Sequence, residues 1–499
     1  MYQSFIGLEV HIHLLTKTKV FCGCRNAFGD EPNTNICPGC MGYPGTLPTL
    51  NIEALRMAGM VARALNCTIP EKTWFERKQY FYPDLPNNFQ LTQFASPIGQ
   101  KGYVDIDGKI GEKQIQKRVR IKECHLEEDA GKMIHTGTVS LLDYNRAGVS
   151  LLEIVTEPDL ETGEEAELFI QQLRRTVRYL GVCDGNMEEG SLRADANVSI
   201  NLPGKGLGKR VEIKNLNSSR FVKLAANYEI VRHGALMDQG KTAAQETRLW
   251  NENRDETLPM REKENAQDYR YFPEPNLPVY IPDAAFLKSI EDAMVELPVP
   301  RRKRIAAEYG VNEEQAEQIC DEKAQADYFE AAVAEATSIA ANGDNKLSKT
   351  EAASRTANWL LQDIKHIMGR EGIDVRSIGS FKLTPKRMAS LVAMTAAGKI
   401  TGKNARQTLE AVIAEDKDPA QIVSERGWEI LSDPAKIAEA VAAVAKTEET
   451  TVAELQTAID DKRRKTLTAY LTGKVLAATS GRADPKIVSA QIDELIQRR

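Results

Sequence analysis

Near its start the chain sets Glu9, His11 and His13 among Ile6, Leu8, Val10, Ile12 and Leu14. The alternation has period two and predicts a half-buried strand with the three polar side chains on one face. A carboxylate and an imidazole two residues apart on a strand can reach one cation. More acids stand in two later stretches. His125, Glu127, Glu128 and Asp129 crowd into one short segment, and Glu153 lies inside the apolar run Leu151-Leu152-Glu153-Ile154-Val155. Burying a carboxylate among aliphatic side chains is costly unless it is paired or metal-bound, so Glu153 needs a cation or an arginine. Glu9, His11, Glu128 and Glu153 together would make a carboxylate-rich site for Mg²⁺ or Mn²⁺, the ions that escort ATP phosphates. Spacing alone does not say which acids converge, and Glu127 and Glu128 also fit a solvated turn. His13 shares the face of His11 but reads as a hydrogen-bonded histidine rather than a ligand.

A second group is made of cysteines. Cys22-Gly23-Cys24 and Cys37-Pro38-Gly39-Cys40 are two chelating turns closed by a short loop, which suits a tetrahedral thiolate site for Zn²⁺. With all four ligands cysteine no position is left open, so the expected role is structural; four free thiols are the alternative. Cys67, Cys124, Cys183 and Cys320 are scattered and read as small buried residues.

Phosphate-binding signals are less specific. In Met187-Glu188-Glu189-Gly190-Ser191-Leu192-Arg193, the glycine, Ser191 and Arg193 could approach phosphates. The stretch is not a P-loop, because Ser191 stands where that motif requires lysine. Gly204 to Arg210 is glycine-rich and basic but reads as a flexible hairpin between strands. There is no Rossmann fingerprint, so ATP, if used, is bound on another fold. Trp74 to Asp84 interleaves aromatics with Arg77 and Lys78, which suits a splayed nucleotide end or an ordinary core edge. The chain is read as carrying neither a Gly-x-Cys-x-Gly nor a Gly-x-Ser-x-Gly elbow and no Ser- and Gly-rich amidase-like segment, so no glutamine-hydrolysing centre is expected here.

These residues need a scaffold. Strand formers and glycine turns dominate residues 1–290, with helices expected over Ile52–Leu65, Gly163–Leu180 and Ser218–Gly240. Val104 to Ile110 reads as a hairpin turning at Asp107-Gly108. Strands and helices do not alternate as βαβ units, so the expectation is an α+β fold with a mostly antiparallel sheet. Pro273, Pro275, Pro278, Pro282, Pro298 and Pro300 predict an extended linker. Beyond it strand signals vanish. Two all-helical domains are expected, giving boundaries of 1–292, 293–403 and 404–499. Ser432-Asp433-Pro434 and Ala483-Asp484-Pro485 mark helix starts, each with an Asp N-cap and Pro at N1.

At 499 residues and a net charge of −6 the chain is no polycation, so nucleic acid would have to meet a local patch. One exists: Lys462, Arg463, Arg464, Lys465, Lys474, Arg482 and Lys486, with Tyr470 among them and Asp484 as the one acid. A solvated helix face balanced by neighbouring acids is the alternative. No run approaches the roughly 20 apolar residues of a membrane span, and the N-terminus has no signal-peptide pattern. A cytosolic protein is expected.

Taken together, the segments resemble the B subunit of the glutamyl/aspartyl-tRNA amidotransferases. The resemblance runs through Gly7 to His11, Tyr43 to Pro48, Arg77 to Asp84, Glu127 to Lys132, Leu152 to Asp159, Met187 to Arg193, Glu212 to Ser218 and Asp268 to Pro275. It implies a bacterial, cytoplasmic ligase that uses ATP to phosphorylate the side-chain carboxylate of Glu-tRNA(Gln) or Asp-tRNA(Asn). Ammonia then displaces the phosphate. It also implies a heterotrimer, in which the amidase, the A subunit, supplies the ammonia and a small C subunit clasps the two. By the same resemblance Glu9, His11, Glu128 and Glu153 would hold Mg²⁺. Lys78, Glu189 and Arg193 would line the kinase and transamidation pocket, and the tail domain would contact tRNA. Position 13 departs from the family, which usually has Gln or Glu there, and the four cysteines occur in some members only. A tRNA-binding scaffold without chemistry and a metal-dependent phosphoesterase are the other readings. The scaffold leaves Glu153 and the acids near Glu128 without a purpose; the phosphoesterase leaves the basic tail unexplained.

Overall fold

A computed structural model of the chain describes residues 2–262, 269–341, 347–431, 433–458 and 460–497. Asp268 and Ser432, both in stretches singled out above, lie outside the described residues. The chain divides into two compact units, Met1–Val299 and Pro300–Arg499.

The first unit is built on strands β1 (Gln3–His13), β2 (Glu76–Gln79), β3 (Phe89–Thr92), β4 (Gly99–Ile110), β5 (Lys113–Glu128), β6 (Lys132–Thr136), β7 (Val139–Asp143), β8 (Ser150–Thr156), β9 (Leu192–Asn201), β10 (Val211–Leu216), β11 (Glu246–Asn251), β12 (Glu256–Glu262) and β13 (Phe272–Pro273). Eleven of them form one sheet in the order β12-β11-β10-β9-β1-β8-β5-β3-β2-β13, with β4 paired to β5 beside this path. β6 and β7 make a separate hairpin. Every sheet pairing is antiparallel except β10 with β11. The fold is α+β, as the sequence predicts.

β1 lies inside the sheet between β8 and β9. Its alternation does what period two dictates. Ile6, Leu8, Val10 and Ile12 are buried on one face against helices α1 (Ile52–Ala64), α2 (Gly163–Tyr179) and α3 (Ser219–Asp238). Each such side chain contributes about 1.5–3 kcal/mol on leaving water. The helices begin where polar caps allow: the side chains of Asn51, Thr162 and Ser218 accept hydrogen bonds from Glu53, Glu165 and Phe221 amides. Glu9, His11 and His13 are left on the opposite, half-buried face.

Two local expectations are corrected. Asp107-Gly108 is not a turn; it lies within β4, and the hairpin turns at Gly111, whose φ is 60°. Gly108 lets α2 pack close, since a Cβ there would stand 2.8 Å from the end of the Leu168 side chain and displace it. Asp107 is tied by Gln114 and by its own amide to Gln172. Nor is the proline-rich stretch all linker. It carries helix α4 (Ala284–Ala293), which buries Phe286 and Ile290 in the first unit's core. Prolines fix φ without preventing the side chains between them from packing.

The second unit has no named strand among the described residues. Helices α5 (Pro298–Tyr309), α6 (Glu313–Ile319), α7 (Lys323–Ala341), α8 (Lys349–Asn358), α9 (Lys365–Arg370), α10 (Pro385–Ala396), α11 (Gly402–Glu415) and α12 (Pro419–Glu425) share one apolar core, from Ile305 to Val423. A separate core, Ile437 to Ile492, is made by α13 (Pro434–Thr447), α14 (Glu449–Thr457), α15 (Asp461–Ala478) and α16 (Pro485–Gln497). The two predicted helical regions thus have cores of their own, but α11 and α12 join the first through Leu409, Val412, Ile422 and Val423. Asp433 and Asp484 cap α13 and α16 through the amides of Ala435 and Lys486.

Candidate functional site

On the polar face of the sheet, strand register sets four side chains in a row. His125 of β5 pairs with Glu153 of β8, Glu153 with His11 of β1, and His11 with Arg193 of β9. Glu127 stands one pleat further along β5. His11 Nε2 lies 3.4 Å from Glu153 Oε2 and 3.9 Å from Glu127 Oε1. His125 Nε2 lies 3.2 Å from Glu153 and 3.7 Å from Glu127. Burial disfavours charge on both imidazoles, but the adjoining carboxylates outweigh it: His11 is raised and His125 is pushed up to about 10. Burial likewise opposes ionisation of Glu153, and the two histidines overcome it, holding its carboxyl well below the usual range. His125 Nδ1 is buried without a hydrogen-bond partner.

A second acidic group lies two residues away on β1, about 7 Å along the strand. Ligand atoms of Glu9, Asp195 and Glu212 all lie within 4.8 Å of one another, as do those of His11, Glu127 and Glu153. Lys214 Nζ sits 2.7 Å from Asp195 and 3.1 Å from Glu212 and offsets part of that charge. Asn197 donates to Glu9 at 2.9 Å, while its buried Oδ1 has no partner. Both donor sets fit a hard divalent cation: oxygens predominate, one imidazole completes the first, and an unsatisfied amide oxygen stands beside the second.

The predicted quartet is therefore divided. Glu9 and His11 share a face but belong to adjacent groups. Glu153 stands with His11. Glu128 does not: on β5 it follows Glu127 and so faces the other way. Its carboxylate accepts the Leu91 amide at 3.0 Å in a cavity lined by Cys40, Asn87, Phe89 and Arg77. Burial pushes Glu128 up to about 7. Glu127 takes the place expected of Glu128; His125, singled out with the acids but given no role, borders the first group, and Asp195 and Glu212 are members that the sequence pattern did not assign to the site. Period two was the available signal, since His125 and Glu127 alternate with Cys124 and Leu126, and Asp195 with Ala194 and Ala196.

The remaining residues border this face. His13 Nε2 is 2.7 Å from Asp129 Oδ2 and joins neither ligand group, in keeping with its reading as a hydrogen-bonded histidine. Arg193 donates to the same oxygen at 3.1 Å, and Arg146 Nε is 3.4 Å away. Despite burial, Arg193, His13 and Arg146 keep Asp129 ionised far below its ordinary range. Lys78 lies 4.9 Å from the Tyr269 ring centroid and 5.5 Å from that of Tyr80. Ser191 and Glu189 belong to the turn before β9; Ser191 donates to Asp184 at 3.4 Å, and the Glu189 amide donates to Asn186.

The sulfur atoms of Cys22, Cys24, Cys37 and Cys40 also lie within 4.8 Å of one another. Cys40 Sγ accepts the Cys37 amide at 3.2 Å and lies 3.7 Å from Lys19 Nζ. Lys19 is 0% exposed, and its other partner is the Tyr144 carbonyl. A buried ammonium needs an anion. Cys40 provides one, because hydrogen bonding from Cys22, the Cys37 amide and Lys19 hold its thiol low. Four gathered sulfurs beside a buried cation fit a closed tetrathiolate zinc site.

Gly181-Val182-Cys183-Asp184-Gly185 has the spacing of a cysteine nucleophile elbow, a motif the sequence expectation overlooked. Cys183 is buried and its thiol is pushed up to about 12, first by burial, so it is held as an inert thiol.

A sheet face with two groups of side chains that could hold a cation, together with two helical cores, defines a multidomain α+β protein, and comparison with known proteins narrows this. Residues 4–288 match the family described as GatB/GatE catalytic domain, and residues 327–496 match the GatB domain. The chain is 40% identical over 505 residues to the B subunit of the aspartyl/glutamyl-tRNA(Asn/Gln) amidotransferase of Crocosphaera subtropica, covering 99% of this chain and 98% of that one. It is likewise 40% identical over 503 residues to the same subunit of a Thermoanaerobacter species, covering 100% of both. The chain belongs to the GatB/GatE family. Among the described residues no helix is long and apolar enough to cross a membrane.

Proposed function

We propose that this chain activates and amidates the side-chain carboxylate of a misacylated tRNA, Glu-tRNA(Gln), Asp-tRNA(Asn) or both, with ATP. The observation that carries the reading is the pair of ligand groups, His11/Glu127/Glu153 and Glu9/Asp195/Glu212, which neighbouring strands bring together around Glu9 and His11, two residues apart on β1. A divalent cation held there would neutralise phosphate charge and favour in-line transfer. His125 would orient Glu153 from the far side, and Arg193 would keep positive charge at the edge of the face. In the reaction a carboxylate oxygen bonds to the γ-phosphorus and ADP leaves. Ammonia nitrogen then bonds to the acyl carbon, phosphate leaves, and nitrogen loses a proton.

The ammonia comes from a partner amidase, the A subunit, with a small C subunit completing a heterotrimer. The buried, unactivated Cys183 and the missing serine elbow support a separate glutaminase. Zinc at Cys22, Cys24, Cys37 and Cys40 has a structural role, and the setting is the bacterial cytoplasm, which the bacterial relatives support.

The test is reconstitution with the two partner subunits, misacylated tRNA, ATP, Mg²⁺ and ammonium. Wild type forms Gln-tRNA or Asn-tRNA, and Glu153→Gln loses ATP-dependent amidation while still binding tRNA. Unimpaired amidation in Glu153→Gln overturns the site. A wild type that binds tRNA but forms no amide is a scaffold subunit instead.

A further inference from the structure

An aromatic stack borders the ligand face and takes no part in the chemistry proposed above. The rings of Phe94 and Tyr271 lie parallel, with centroids 4.0 Å apart and planes 6° from each other. Phe94 is 50% exposed, yet the backbone around it is pinned. Gln93 is fully buried and donates its amide to the Leu126 carbonyl, the Ala95 amide donates to Glu76, and Ser96 donates to the Lys72 carbonyl. A half-exposed ring on a fixed loop is a preformed stacking platform.

Its position ties it to the site. Thr92 pairs with Glu127 in antiparallel register, so Phe94 falls beside His125 at the edge of the first ligand group. From there β5 leads away through Glu123 and Ile121, about 7 and 14 Å along the strand from His125. These residues and Phe94 line a cleft of about 490 Å³ with Lys101, Arg120, Lys122 and Glu157 on its walls. That volume is within the range of small-ligand sites. Strand β5 thus carries Glu127 of the first ligand group near its end and, toward its middle, one wall of an aromatic, cation-edged cleft.

We infer that the open face of the Phe94–Tyr271 stack binds an adenine base, with Lys101 and Lys122 at the mouth of its cleft. This rests on the phosphoryl-transfer reading, which brings two adenosines to the site, that of ATP and the one that ends the aminoacyl-tRNA. Both present the same base, and stacking does not distinguish them.

Binding experiments on the full chain in its assembled complex separate the sources. The ligands are a Mg²⁺-bound non-hydrolysable ATP analogue, ribose 5′-triphosphate, and tRNA with or without its 3′ adenosine. Loss of one stacking partner weakens a base by on the order of tenfold. If the base is that of ATP, Phe94→Ala lowers affinity for the analogue to that for the baseless triphosphate, and Phe94→Tyr restores it. If it is the tRNA terminus, Phe94→Ala weakens intact tRNA alone and leaves the shortened tRNA unchanged. Equal affinities of wild type, Phe94→Ala and Phe94→Tyr for all four ligands overturn the subsite. Such a result, with Glu153→Gln still inactive, leaves the amidation reading standing.

Discussion

Adjacent residues of β5 serve opposite faces of the sheet, which gives Glu127 and Glu128 different work. Glu127 stands 3.9 Å from His11 in an oxygen-rich group. Glu128 is buried against the Leu91 amide and, pushed up to about 7, is half protonated near neutrality. Replacing Glu127 by Gln is expected to weaken Mn²⁺ binding by roughly tenfold to hundredfold, the range seen when a metal site loses a supporting group. Glu128→Gln, which mimics the protonated form, should change it by less than about threefold. Electron paramagnetic titration of Mn²⁺ reads both, and the reverse ranking would refute the face assignment. At this scale the sequence was partly legible. Glu9, His11 and His13 could be placed because β1 alternates without interruption, and Glu153 because an acid among aliphatics needs a counter-charge. Glu128 could not be placed, since three consecutive acids hide the parity that His125 and Glu127 share.

Among the elements, α3 is fastened to β11 and β12 by a buried polar network. Glu229 of α3 is fully buried and takes hydrogen bonds from Arg232, with His233 Nε2 at 3.1 Å and Arg248 Nε at 3.3 Å. Thr257 of β12 donates to it as well. Burial raises its carboxyl, but these partners prevail and bring it from 4.5 down to about 2. Because the folded value is depressed, the stabilisation is complete above pH 4.5 and is lost as pH falls toward 2. Glu229→Gln should therefore cost on the order of 3 kcal/mol at pH 7, where it strands buried cations. The deficit should shrink between pH 4 and pH 2. Urea unfolding at several pH values measures it; a deficit that persists unchanged at pH 2 would count against the network. The helix itself was foreseeable from its Ser218 cap and composition. Its partners were not, because β11 and β12 meet it only through the sheet order. The Asp107-Gly108 turn failed for a related reason: local turn chemistry yields to the longer pairing of β4 with β5, which sets Gly108 opposite Ile115.

At the scale of the molecule, charge is segregated although the total is small. On α15, Arg463 pairs with Glu454 and Lys474 with Glu448, whereas among the described residues Lys462, Arg464 and Lys465 have no ion-pair partner. Replacing these three by Ala should weaken tRNA binding and lower the slope of log affinity against log salt by about 2 to 3. Filter binding across a salt series tests this, and an unchanged slope would remove α15 from the interface. The same scale gives β1 a consequence in time. Strand β1 is an interior strand that precedes both of its neighbours in the chain, and Val10 pairs with Ile154 on one side and Ala194 on the other. At the usual pace of synthesis, about 5–20 residues per second, on the order of ten seconds pass before either neighbour exists. Until then both edges of the strand are open to strangers, and the charge of Glu9 with the polar rings of His11 and His13 is the guard against wrong pairing.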